Sequence, residues 1–588
     1  MTRREMLWLL ASGVPAARAQ QPAGMSSRGV APQPHGKPSG LPFHARFTDV
    51  AAQAGLREPV IYGPDGRTDY ILESMGCGVA FFDYDNDGWL DVFVLSGTRR
   101  EGPVAGATNR LYRNNRDGTF TDVTEKAGLT RQDWACGVTI GDYNNDGFDD
   151  IFISQWGQNA LYRNNGDGTF TDVTREAGLL QEGRRWGTGC TWVDYNRDGL
   201  LDLFVAHYVA FDFQSVPATG QNPNCNFKGV PVYCGPLGLQ PERCLLYRNN
   251  GDGTFTDVTR SAGIDRAAPT FGLTAIAADY LGTGWQDIYV ASDSTPSLLF
   301  HNQRDGTFRE EGLELGLAVN EDGNEQAGMG LGLGDFDTDG ALDLLKTHFS
   351  EDTAVLYRNV GRGGFEDVTM RSGLGVETRY VSWGAGIQDF DNDGLPDLFW
   401  ATGGIYPEVE KTHPEYPFKT PRVLFRNLGN GKFEELTAAA GPAIAEAHSS
   451  RGVAFGDFDN DGDIDILIMN INEPPSLLRN DATGGGHWLK VALTGVKSNR
   501  SAIGATVVAA YGGRRQAQAV TAQSGYLSVN DRRLHFGLGA AQSADLEIRW
   551  PSGLQESVKG VSADRLVSIR EGAGVVKVES FAGPRQGR

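Results

Sequence analysis

Asp83, Asp85, Asp87 and Asp91 place carboxylates at the first, third, fifth and ninth positions of DYDNDGWLD, with Gly88 sixth and the Trp89 carbonyl seventh. Hard oxygen donors at alternate positions, tightened by a glycine, are what a six- to eight-coordinate calcium ion requires. Magnesium fits less well, because it demands stricter octahedral geometry and keeps its waters. The stretch recurs as Asp142, Asn144, Asp146, Phe148 and Asp150; as Asp194, Asn196, Asp198, Leu200 and Asp202; and as Asp335, Asp337, Asp339, Ala341 and Asp343. Two more copies run Asp389, Asp391, Asp393, Leu395, Asp397 and Asp457, Asp459, Asp461, Asp463, Asp465. A seventh, DYLGTGWQD from Asp279, has Leu281 and Thr283 at the third and fifth positions, so it is expected to hold no ion. An EF-hand would need a bidentate Glu at position twelve, where these copies carry Val94, Ile153, Val205, Val290, Lys346, Trp400 and Ile468. We therefore read loops between strands that bind up to six calcium ions.

The elements that must position these loops form a repeat of about 55 residues. Each loop is followed by a hairpin signature, clearest as LYRNNGDGTFTDVT from Leu161 and Leu246, in which Asp-Gly tolerates the positive φ of a tight turn. Two strands around each loop and two around each hairpin make the four strands of a propeller blade. The array starts with the second half of a hairpin, ARFTDV from Ala45, and ends with the first half, LLRND from Leu477. A ring closed by the N-terminal strand accounts for both fragments and removes open edges. The strand ahead of each loop alternates small residues (Gly76, Gly78, Ala80) with bulkier ones, among them Cys77, Cys136 and Cys190, read as core. The expected fold is all-β: a seven-bladed propeller over 46–481, a small β-sandwich over 487–572 with Trp488, Tyr526 and Trp550 in its core, and a tail over 573–588.

The net charge of −21 argues against nucleic acid as a partner. The loop aspartates account for this acidity: 24 of 74 acidic residues, leaving 50 against 53 basic ones. Residues 1–19 read as a signal peptide, with Arg3 and Arg4, an apolar run and an Ala17-Arg18-Ala19 cleavage site. Residues 20–45 read as a flexible leader. The paired arginines resemble a twin-arginine signal, so the chain is expected to be exported, periplasmic or secreted, with no transmembrane segment in its mature part. Cys225 and Cys234, in an insertion before the fourth loop, are the expected disulfide.

The loops, FGDFDNDGDID at 455–465 most closely, resemble the FG-GAP or VCBS repeats of integrin-α-type propellers. HWLKVALTGVKSNRSAIGATVVAAYGG, GYLSVNDRRLHFGLG and LEIRWPSG resemble the ASPIC/UnbV domain that follows such repeats in the cartilage acidic protein family and its bacterial relatives. The resemblance implies a calcium-binding extracellular protein. No nucleophile elbow, P-loop or zinc-protease motif is present in the chain. Thirteen residues after each first aspartate stand Ser96, Gln155, His207, Ser292, His348, Thr402 and Asn470, a polar circle expected around one mouth of the channel. His207, His348, Gln155 and Asn470 are the candidate ligand contacts. The favoured reading is a binding or adhesion module for a protein or glycan; the alternative is a carbohydrate-active lyase or hydrolase with its site at that mouth.

Overall fold

The computed structural model describes residues 27–102 and 104–581; the expected signal peptide lies outside them. Among the described residues, seven four-stranded antiparallel units follow one another, the first made of Val79–Phe82, Asp91–Val94, Arg110–Asn114 and Phe120–Asp122. The second and third are joined into one sheet where Asp150–Gly157 runs on to pair with Arg185–Val193. Each innermost strand lies against the next, and the seventh, Ser450–Gly456, lies against the first. Phe47–Asp49 supplies the outer strand of the last unit, with Phe47 opposite Asn480 and Asp49 opposite Leu478. The half-hairpins at the two ends of the array thus complete one blade.

Small residues on the innermost strands answer to close approach. A Cβ at Gly330 would sit 2.0 Å from the Trp383 carbonyl of the next blade, and one at Gly78 would sit 1.8 Å from the Leu527 carbonyl. Cys77, Cys136 and Cys190 are buried on the opposite, bulky face.

An asparagine in each hairpin ties neighbouring units together. The side-chain amides of Asn114, Asn164, Asn249, Asn302, Asn359, Asn427 and Asn480 donate to the carbonyls of Phe458, Tyr84, Tyr143, Tyr195, Tyr280, Phe336 and Phe390, each in the preceding unit, at 2.7–2.9 Å. The chain of seven bonds returns to its start, so the ring is closed by polar staples as well as by the terminal strand.

The C-terminal region is a sandwich of two four-stranded sheets. In one, His487–Thr494 runs parallel to Arg565–Arg570, and Gly574–Glu579 continues the sheet, so the domain extends into what reads from the sequence as tail. Trp550 lies in its core. Tyr526 does not. The segment around it, Ala522–Asp531, enters the propeller channel and bonds to the inner strands: Val529 N–H to the Val79 carbonyl, Val138 N–H to Leu527, Leu331 N–H to Gly525, and Cys190 and Ala275 N–H to the Gln523 side chain. Inner edges of a propeller carry unpaired peptide groups, and this plug satisfies them. Tyr526 packs edge-on against Trp383, and its hydroxyl donates to the Met75 carbonyl.

The opposite mouth is roofed by the insertion before the fourth loop. Cys225 and Cys234 are bonded in it, while Phe211, Phe213 and Tyr233 pack on Trp156, Trp186, Tyr70 and Tyr406. Residues 27–45, expected to be a free leader, form an extended strap. Arg28 pairs with Asp352, Val30 and Gln33 bond the backbone of Glu351 and Gly375, and Ser39 bonds Glu434.

The staples make a direct prediction. Asn359→Ala strips a donor from the buried Tyr280 and Leu342 carbonyls, and at about 1–3 kcal/mol for each orphaned group it should cost roughly 2–6 kcal/mol. Urea denaturation at constant m-value measures this, and a loss under about 0.5 kcal/mol would contradict the role assigned to the staple.

Candidate metal centres

Backbone geometry builds each loop before any ion is considered. In the first, Asp87 and Gly88 N–H donate to the two oxygens of Asp83 at 2.9 and 2.8 Å, which needs positive φ at Asn86 (57°) and Gly88 (88°). The fourth loop keeps this turn through Gly282 (63°) and Gly284 (83°), with Thr283 N–H on Asp279, although it lacks the central carboxylates. The ninth-position aspartate faces inward: Asp91 accepts the Asn114 and Tyr84 N–H groups.

Three carboxylates converge to within 4.8 Å of one another in four loops: Asp83, Asp85 and Asp91; Asp335, Asp337 and Asp339; Asp389, Asp391 and Asp397; Asp457, Asp459 and Asp465. The second and third loops have Asn144 and Asn196 at the third position, each donating to the fifth-position aspartate at 2.8 Å. One oxygen of Asp85, Asp337 and Asp459, the third-position residue of three loops, is buried without a hydrogen-bond partner. A buried anionic oxygen with no donor is costly, and a hard cation at the centre of the loop would supply what it lacks. The donor set, all carboxylate, amide and carbonyl oxygen, fits calcium. The ion would be held by the first, third, fifth and ninth side chains and the seventh carbonyl, and its chemistry there is charge neutralisation.

Protein cations supply part of that neutralisation. Arg113 reaches Asp85 at 2.9 Å, Arg116 reaches Asp87 at 2.7 Å, and Arg358 spans Asp337 and Asp339. In the fourth loop Arg549 of the sandwich bonds Asp279 at 3.0 Å and the Gly282 carbonyl at 2.8 Å. His301, which stands where six other hairpins carry arginine, bonds Asp287 at 2.8 Å, and that bond raises its pKa. The loop without central carboxylates therefore receives its positive charge from side chains. Lys490, also from the sandwich and fully buried, lies 2.7 Å from Asp457.

Burial pushes Asp83 up to about 6 and Asp91 to about 8, against backbone N–H bonds that pull the other way. The same cause takes Asp150 to about 9 and both Asp194 and Asp335 to about 7. Asp457 is the exception: burial would raise it, but Lys490 and Arg533 hold it below the usual carboxylate range.

The seven residues of the polar circle are all buried. His207 and His348 are 0% and 1% exposed, and burial keeps their imidazoles neutral. Asn470 and Gln155 are enclosed with them, Asn470 bonding Ser450 and Ser476. Beneath the roof a cavity of about 30 Å³ lies among Ile71, Tyr208, Tyr233 and Trp383, room for about one water. A far larger cleft, about 1700 Å³, opens between the sandwich and the first and seventh loops. Trp488, expected in the sandwich core, stands at this cleft, stacked on Phe581 and packed over Gly462.

Comparison with known proteins places these features among relatives. Residues 83–153, 142–205, 279–346, 335–400 and 420–468 match an FG-GAP-like repeat model, and 495–576 match the ASPIC and UnbV model. The chain is 26% identical to cartilage acidic protein 1 of Mus musculus over 84% of its length and 73% of that protein's. It is 27% identical to the Homo sapiens protein over 57% of its length and 48% of that protein's. Among solved structures, BBS1N in complex with ARL6DN is similar over 74% of this chain and 97% of that one, at 10% identity and a TM-score of 0.39.

A pH dependence follows from the raised carboxylates. Without metal the native state holds more protons than the unfolded chain between the ordinary and raised pKa values, so its stability falls as pH rises through that window. Chelated protein should therefore lose melting temperature from about pH 5 to pH 8, whereas calcium-loaded protein, its protons displaced by ions, should not. Parallel melting profiles in calcium and in chelator across that range would contradict the assignment.

Proposed function

The chain belongs to the FG-GAP-like repeat family and carries an ASPIC and UnbV domain, and from that premise we propose that it is an exported, calcium-binding interaction module. The observation that carries this reading is the set of buried, partnerless third-position oxygens at the centre of converging carboxylates. Calcium there acts as part of the scaffold, cross-linking each loop so that the ring presents a rigid outer surface. The Cys225–Cys234 disulfide supports an oxidising compartment. The export route is read by replacing Arg3 and Arg4 with lysine, which blocks a twin-arginine path and spares the general one.

The alternative, a glycan lyase or hydrolase using His207 and His348, has less support. Both imidazoles are buried without solvent access, and the 522–531 segment of the sandwich occupies the channel. The partner, protein or glycan, is better sought on the outer faces of the blades or in the cleft beside the sandwich.

Elemental analysis after calcium loading should find up to six ions per chain, with the Asp279 loop vacant. Each site held at a hundredfold excess over its dissociation constant adds about 2.7 kcal/mol, so chelation should lower the melting temperature far more than any single loop variant. Fewer than one ion per chain, with equal melting curves in calcium and chelator, would overturn the calcium reading. A calcium-dependent binding screen over glycans and secreted proteins, followed by product analysis, separates module from enzyme: binding without products is expected.

A further inference from the structure

The sixth loop stands apart from the others in its enclosure, and from the first and fifth in its charge partners as well. Its carboxylates are the most enclosed, with Asp389, Asp391 and Asp397 only 3%, 2% and 1% exposed. It also lacks the arginine that serves the first and fifth loops. The equivalent side chain, Arg426, turns away to the Leu41 and Pro42 carbonyls of the strap and to Glu434, and among the described residues Asp389, Asp391 and Asp397 form no ion pair with Lys or Arg. The oxygen that Arg113 takes in the first loop is bonded here by the backbone N–H of His44, Asp391 Oδ2 at 3.2 Å.

Two other parts of the chain close over this loop. The strap crosses it at His44. The sandwich presses backbone against it: a Cβ at Gly537 would fall 1.8 Å from the Asp389 carboxylate, and one at Gly486 would fall 2.1 Å from the Asn392 carbonyl. His535 bonds Asn392 at 2.7 Å, Gly539 N–H donates to the Asn392 carbonyl, and Arg514 donates to the Asp393 carbonyl at 3.0 Å. The fifth-position aspartates of the second, third and fifth loops, Asp146, Asp198 and Asp339, are instead open to solvent.

Packed between strap and sandwich, these three carboxylates leave a bound ion little path to solvent, and a divalent ion among them would offset the cost of burying their charge. We infer that the sixth loop holds a sealed calcium ion that ties strap, propeller and sandwich together and does not exchange while they remain docked, whereas the ions of the open loops exchange freely. This rests on the calcium reading above and adds to it a division of the sites by exchange and a role for the sixth in holding the sandwich.

The test uses the full-length chain, loaded with calcium, incubated in excess chelator and desalted. One ion per chain should survive in the wild type. Asp391→Asn should abolish the retained ion, and Asp85→Asn should leave it in place. Arg514→Ala combined with His535→Ala, neither of them a proposed ligand, should loosen the cover and speed loss of the retained ion by about tenfold or more. Should that double variant fail to fold, the Asp391→Asn and Asp85→Asn comparison still decides. Loss of all ions together from the wild type, or a retained ion that survives Asp391→Asn, overturns the inference. A chain that takes up no calcium on loading overturns the calcium reading itself.

Discussion

A buried aspartate at the ninth position of each loop couples two things that could have been independent. One of its oxygens accepts the backbone N–H of the hairpin asparagine, at 2.8–2.9 Å in all seven units. That asparagine's side chain then reaches the preceding blade. In six units the second oxygen accepts the N–H of the loop's own second residue. The same carboxylate is thus a wall of the ion loop and the anchor of the joint between blades. In the fourth unit the second oxygen of Asp287 has no partner and His301 bonds the first, so the joint survives where the central ligands have gone.

The sandwich is less a second domain than the closing piece of the first. It enters the channel, satisfies inner-strand peptide groups of most blades, and sends Arg549 and Lys490 into two of the loops. Electrostatics and backbone pairing therefore agree on one docked arrangement. Clustered carboxylates left facing water would repel one another; covered by the sandwich they require cations, and the sandwich brings some of them.

Much of this is written locally and was legible. Asp at alternate positions, Gly at the sixth and Asp-Gly hairpins are short-range signals, and the two half-hairpins at the ends of the array announce closure. The Cys225–Cys234 pair is equally local. The plug was not legible, because Tyr526 sits in an alternating stretch that reads like any sandwich strand; only the docked geometry sends it into the channel. The polar circle misled for a related reason. Residues such as His207 and His348 do occupy equivalent strand ends, but both are buried, and nothing in the composition of the 211–244 insertion states that it folds over that mouth. The asparagine staples did leave a trace: Asn recurs at one hairpin position in all seven repeats, a regularity that the turn alone does not require.

Closure by the first strand also sets a timetable. Thr48 bonds Asp481, 433 residues further along, so the outer strand of the last blade waits for its mate until most of the chain exists. At ordinary elongation rates of about 5–20 residues per second, that wait is roughly 20–90 seconds. Throughout it the ring is a growing arc, and contacts so distant along the chain make the final step slow. A ribosome that stalls short of residue 476 therefore releases an open arc with a ready template at its edge, and the cell must shield that arc or degrade it.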